Sequence, residues 1–168
     1  MLLRVVMVAL AIALAPAAAP AQGTQIALGL SDHDRSQPVE VTAETLRVDQ
    51  GAGTAQFLGD VLVQQGALRL SARQVTVIYG PAQEDAPRRI ARLEAEGDVL
   101  MTLQAEAAEA DRAVYTVDDA QVVMTGNVLL TQGDGAVAGQ RLVADLARGT
   151  GTMEGRVRTV LQPATGAQ

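Results

Sequence analysis

The sequence of 168 residues has no cysteine, tryptophan or lysine, and only one phenylalanine, two tyrosines and one histidine. Without cysteine there is no disulfide framework, thiolate metal site, iron–sulfur cluster or cysteine nucleophile. A single histidine does not build a multi-histidine zinc or di-iron site. The 13 basic residues are all arginine and face 19 acidic ones, for a formal charge of −6. An acidic chain with 2% aromatics lacks the basic grooves and stacking rings that nucleic acid requires. What remains is a length suited to one domain and 48% apolar residues, enough for a core. That core is made of Val, Leu, Ala and Met.

Residues 1–21 have the anatomy of a secretory signal. Arg4 precedes an apolar run from Val5 to Ala15, and Ala19-Pro20-Ala21 supplies a small-residue site with cleavage expected after Ala21. An uncut anchor needs about 20 apolar residues, and this run is shorter and followed by Pro16 and Pro20. No cysteine follows for lipid attachment. Residues 22–37 are expected to form a flexible leader, 38–163 one domain and 164–168 a tail.

From Pro38 onward apolar residues recur at every second position, the spacing of strands. Pairs such as Val39/Val41, Ala55/Phe57, Val61/Val63, Val75/Val77 and Val122/Met124 are separated by Gly- and Asp-rich breaks. These breaks predict short strands and tight turns. The segment 105–113 (AEAAEADRA) has helical propensity but only a weak apolar stripe, and strand context is expected to override it.

An internal repeat underlies the pattern. Gly59-Asp60-Val61, Gly97-Asp98-Val99, Gly126-Asn127-Val128 and Gly155-Arg156-Val157 recur at spacings of 38, 29 and 29. The longer spacing contains a polar insertion of nine residues at 80–88. A small residue, Ala43, Ala110 or Gly139, stands 16 positions before three of the glycines, and Ala72 stands 25 before the fourth. Units of this size do not bury their own apolar face, so stacking four of them predicts one continuous core open at both ends. Each Gly-Asp pair is expected to form a bulge or a turn.

Catalytic readings find little support. Asp60 and Asp98 occupy equivalent positions, but Asn127 and Arg156 break the series, and no aromatic cleft exists for a sugar. His33, beside Asp32 and Asp34, reads as solvated rather than as a ligand or switch. Ser31, Ser36 and Ser71 have no histidine partner in the repeats. Glu84-Asp85 and Arg88-Arg89 read as a solvated loop. The two long aliphatic faces fit either a dry core or an interior that admits hydrocarbon. Burial of acyl carbon gives roughly 0.8 kcal/mol per CH₂, so a chain of about a dozen carbons contributes on the order of 10 kcal/mol. Composition alone leaves both readings open.

The segments Gln37-Pro38-Val-Glu-Val-Thr-Ala-Glu44, Gly53-Thr-Ala-Gln-Phe57-Leu-Gly-Asp-Val61 and Gln65-Gly66 resemble the opening of OstA-like domains of the LptA type. Glu96-Gly-Asp-Val99, Ala113-Val-Tyr115 and Met124-Thr-Gly-Asn-Val128 resemble the repeats that follow. The likeness spans about 38–163, and Arg156 departs from it where Asp or Asn is expected. It implies an all-β fold, a repeat-built antiparallel β-jelly roll open at both ends. It also implies a non-enzymatic periplasmic bridge with no cofactor, whose apolar groove passes lipopolysaccharide by its lipid A acyl chains from inner to outer membrane. The implied partners are LptC-like inner-membrane and LptD-like outer-membrane domains, and further copies of the chain end to end. Edge strands near 39–43 and 156–161 are the expected joints, since an open edge recruits another sheet. No phosphate-binding loop is present to supply energy.

Period-two parity then assigns the acyl contacts to Leu46, Val48, Phe57, Val61, Val63, Leu70, Val77, Met101, Tyr115, Met124 and Leu130. A slip of one residue would invert that face. Three further readings stay open: an LptC-like component held by an uncut N-terminus, a structural β-repeat polymer without lipid, and a hydrolase on a repeat scaffold, which would need a catalytic cluster that the sequence does not show.

Overall fold

The computed structural model describes residues 23–28, 36–81 and 87–160. The signal and its cleavage site, Ser31, His33, Glu84-Asp85 and everything after Val160 lie outside the described residues. Within them every regular element is a strand. In chain order these are β1 (Thr24–Ala27), β2 (Glu40–Thr42), β3 (Thr45–Asp49), β4 (Thr54–Gln65), β5 (Leu68–Tyr79), β6 (Ile90–Leu103), β7 (Glu106–Thr116), β8 (Gln121–Gln132), β9 (Gly135–Asp145), β10 (Thr150–Glu154) and β11 (Arg158–Val160). All eleven belong to one sheet ordered β1-β10-β9-β8-β7-β6-β5-β4-β2, with β3 also on β4 and β11 also on β9. Every pairing is antiparallel.

The strands are longer than their sequence breaks predict, because Gly-Asp is a bulge inside a strand and not its end. Leu58 pairs with Gln74 and Val61 with Ala72, so Gly59 and Asp60 together face Arg73 alone. The same two-against-one geometry sets Gly97-Asp98 against Asp111 and Gly126-Asn127 against Gln140. A bulge bends a strand without interrupting its ladder. Ala55/Phe57 and Val61/Val63 are therefore two halves of β4, and Val122/Met124 and Val128/Leu130 two halves of β8.

The repeat exists because the backbone here is left-handed. Gly97 has φ 81° and Asp98 49°, a pair matched by Gly126 with Asn127 and by Gly155 (80°) with Arg156 (47°). Two successive left-handed residues need glycine first, and short polar side chains such as Asp and Asn tolerate the second place. Arg156 takes the same conformation without that advantage. Close approach adds a second reason for glycine: a Cβ on Gly126 would run into the Asp111 carboxylate.

Bulged strands (β4, β6, β8 and the pair β10–β11) alternate with plain ones (the pair β2–β3, β5, β7 and β9). The bulges fall in one row across the sheet and crease it into two arms. Arm A holds β2, β11 and the halves near Val63, Leu70, Met101 and Leu130. Arm B holds β1, β3, β10 and the halves near Ala55, Val77, Leu93, Tyr115 and Met124. The insertion at 80–88 lies between β5 and β6, and of the segment 105–113 all but Ala105, a turn residue, is strand as expected. Thr24–Ala27, by contrast, forms a strand inside the leader, paired with β10 at the far end of arm B.

Candidate functional site

The arms face each other across an aliphatic interior. Period two sends Val61, Val63 and Gln65 inward from β4, and Leu68, Leu70, Ala72, Val75 and Val77 inward from β5. Leu93, Ala95, Val99, Met101 and Leu103 follow from β6, then Ala108, Ala113 and Tyr115 from β7 and Val122, Met124, Val128 and Leu130 from β8. Alternate residues such as Leu62, Ser71 and Leu100 lie on the other face and are half-buried or exposed.

The interior is filled. A narrow cavity lies between Val63, Gln65, Leu68 and Leu70 of arm A and Leu93, Ala95, Tyr115 and Val122 of arm B. Its free space holds about one water molecule, far from the volume of an acyl chain. Polar groups cross it at one point. The Tyr115 hydroxyl donates to Gln65 Oε1 at 3.0 Å, and Gln65 Nε2 donates to the Gln37 carbonyl at 3.0 Å. Gln65 is 3% exposed. At the other end Leu28, 4% exposed, sits between Met101, Leu103 and Leu130 of arm A and Leu142 and Ala144 of arm B. Its backbone N–H donates to the Gly149 carbonyl, and Gln132 Nε2 donates to the Ala27 carbonyl at 3.0 Å. Arm A therefore holds arm B near both ends.

The expected contact residues fall on this inner face. Val61, Val63, Leu70, Val77, Met101, Tyr115, Met124 and Leu130 are buried in the interior, and Phe57 packs against them half-buried. Leu46 and Val48 differ, with exposures of 55% and 62%. They pair with Phe57 and Ala55 and so share the inward face. They sit on the last strand of arm B, where solvent reaches them. Sequence reasoning missed Gln65 and Leu28. Gln65 continues the inward parity of Val61 and Val63 but stood next to Gly66 and read as a turn. Leu28 follows Ile26 at period two, a signal too short to stand out in a polar leader.

Residues 40–150 match the family described as LptA/(LptD N-terminal domain) LPS transport protein. The chain belongs to this family. The matched span runs from the first residue of β2 to the first of β10. Among curated relatives, lipopolysaccharide export system protein LptH of Pseudomonas aeruginosa is 29% identical over 168 residues, covering 88% of this chain and 91% of its own. An uncharacterized protein of Rhizobium meliloti, R00383, is 26% identical over 153 residues, covering 87% of this chain and 82% of its own. The crystal structure of LptH, the LptA-homologous periplasmic component of the lipopolysaccharide transport device of P. aeruginosa, superposes with a TM-score of 0.69. It covers 78% of this chain and 99% of its own at 22% identity, which carries the fold. The family assignment makes this chain a component of lipopolysaccharide transport, and the open antiparallel roll is the fold of its LptA-like members.

Proposed function

We propose that the protein is a periplasmic carrier that shelters the acyl chains of lipopolysaccharide between its two arms and passes them from inner to outer membrane. The observation that carries this reading is a predominantly aliphatic face running from one sheet edge to the other. Straight acyl chains meet directional groups only towards its two ends, the Gln65–Tyr115 bond at one and Glu106, which accepts from Gln132, at the other. Because the unliganded interior is filled, an entering acyl chain separates the arms and replaces contacts between them with contacts to itself. Aliphatic and methionine side chains repack at little cost. The sugars remain in water outside the crease.

Export follows cleavage after Ala21. The chain joins LptC-like and LptD-like domains, and further copies of itself, through the edges near 39–43 and 156–161. β2 and β11 lie there, each unpaired on its outer side among the described residues. No catalytic step is assigned to any residue.

A photo-crosslinking amino acid at Val61 is expected to capture lipopolysaccharide in cells, and one at Leu62 is not. Capture at Leu62 alone, or at neither, overturns the groove assignment. The filled interior favours one second reading, a structural β-repeat without cargo. Native mass spectrometry of the periplasmic protein separates the two: bound lipid supports the carrier, and assemblies without lipid support the polymer.

A further inference from the structure

The register of β1 shows whose place it takes. Plain and bulged strands alternate along the sheet, which begins on the plain edge β2–β3 and ends on the bulged edge β10–β11. The alternation therefore continues, beyond β10, with a plain strand. At the other end of arm B the plain strand β3 lies on β4 in a defined register. Thr45 faces Leu58, the residue before the bulge glycine, and Leu46 and Val48 face Phe57 and Ala55. The residue before the last bulge glycine is Glu154. Carried over, that register sets a second copy's Leu46 against Met153 and its Val48 against Gly151. In the single chain Thr24 and Ile26 hold those two places. β1 and β3 run antiparallel to their bulged neighbours alike, and Thr24 and Ile26 take the inward places on β1 that Leu46 and Val48 take on β3.

Two further observations point to a second copy as the occupant. Leu46 and Val48 are large apolar side chains on the inward face that nothing among the described residues covers. In arm A the corresponding edge, β11, carries no strand on its outer side among the described residues. There the edges are complementary in charge. Arg156 and Arg158 lie at the bulged end and Glu40 and Glu44 at the plain end, all four exposed and outside every ion pair among the described residues. The β4 register, Thr42 on Leu62 and Glu40 on Gln64, sets a second copy's Thr42 beside Arg158 and its Glu44 beside Arg156. Neighbouring strands are about 4.8 Å apart, so Glu44 meets Arg156, and Arg158, opposite Thr42, lies diagonally between Glu40 and Glu44. β11 leaves the crease and β2 approaches it, so this junction is antiparallel like every other in the sheet.

We propose that β1 is a placeholder: it occupies the arm B edge of β10 within one copy and yields it to β3 of the next, while β11 and β2 join in arm A. The proposal rests on the end-to-end reading given above and adds to it a competitor inside the chain. Leu28 anchors β1 by its burial between the arms. The incoming strand offers Leu46 and Val48 in place of Thr24 and Ile26. Displacement also withdraws Leu28 from the interior, so joining two copies frees one end of the groove.

The test uses the full chain purified from the periplasm, carrying Gln25→Cys with Thr152→Cys. These residues are paired and outward-facing, and opposed residues of antiparallel strands have Cα atoms about 4.5–5.5 Å apart, within disulfide reach. The sequence has no other cysteine. Oxidation locks β1 in place, and Ile26→Asp, in a separate variant, releases it. In sedimentation over a concentration series, the oxidised form is expected to stay single-copy where the reduced form assembles. Ile26→Asp is expected to assemble at roughly tenfold lower concentration, with its circular dichroism unchanged. If oxidised, reduced and Ile26→Asp forms assemble alike, β1 is a fixed part of the fold and the placeholder proposal is overturned, while end-to-end joining stands. If no form assembles, end-to-end joining itself falls, and the proposal with it.

Discussion

The Tyr115 hydroxyl reaches across the interior to Gln65 Oε1, 3.0 Å away, and ties the inner half of β7 to the tip of β4. In the proposed carrier, loading of the groove breaks this bond. Tyr115→Phe keeps the ring and removes the donor. It is expected to lower the stability of the empty protein by about 1 kcal/mol, the usual net worth of such a bond, read from the urea midpoint. The same energy no longer opposes opening, so affinity for lipid A is expected to rise by up to about fivefold. Weaker binding by the variant would show that the bond belongs to the loaded state instead.

Gly126 and Gly133 separate two demands on a glycine. Both have positive φ, 81° and 52°, but a Cβ on Gly133 meets nothing within 4 Å, whereas one on Gly126 meets Asp111. Ala at Gly133 is expected to cost about 1 kcal/mol, for the left-handed backbone alone. Ala at Gly126 is expected to cost about 2–3 kcal/mol, because the Asp111 side chain must also move. Equal costs in chemical denaturation would mean that close approach contributes nothing at the crease.

Met124 and Leu46 share an inward face with opposite consequences. Met124 is fully buried, and Met124→Ala is expected to destabilise by about 2–5 kcal/mol through the cavity it leaves. Leu46→Ala is expected to change stability by less than about 0.5 kcal/mol while weakening assembly measured by sedimentation. A large stability loss at Leu46 would mean that the edge is covered within one copy.

Arg156 stands where the other bulges carry Asp or Asn. Arg156→Asp is expected to leave a single copy as stable or slightly more so, since Asp suits the left-handed backbone better. It is also expected to weaken assembly, with a shallower dependence on salt. Mixing it with a Glu44→Arg chain should restore mixed assemblies. Unchanged self-assembly by Arg156→Asp would remove this residue from the joint.

Much of this architecture was legible in the residues. Period two assigned the inner face correctly from Phe57 to Leu130, because one face is buried throughout and parity then has no freedom. The spacing of Gly59, Gly97, Gly126 and Gly155 located the crease. Strand length was not legible, since a glycine followed by Asp reads as a break whether the chain turns or merely bulges. β1 was hidden for a different reason. Thr24–Ala27 is only four residues long with one large apolar side chain, and the open edge of β10 supplies the partner that makes it a strand. Gln65 was hidden by Gly66, and its partners, Tyr115 fifty residues away in sequence and the Gln37 carbonyl, explain a buried amide at that place.

The unlike edges of the sheet also give the molecule a direction. A two-fold axis between copies would bring like edge to like edge, bulge upon bulge or plain upon plain, against the alternation found everywhere inside. Only a repeated step satisfies both ends, and a step of that kind has no built-in closure. A file of such molecules has a distinguishable front and back, and its length is set by whatever terminates each end.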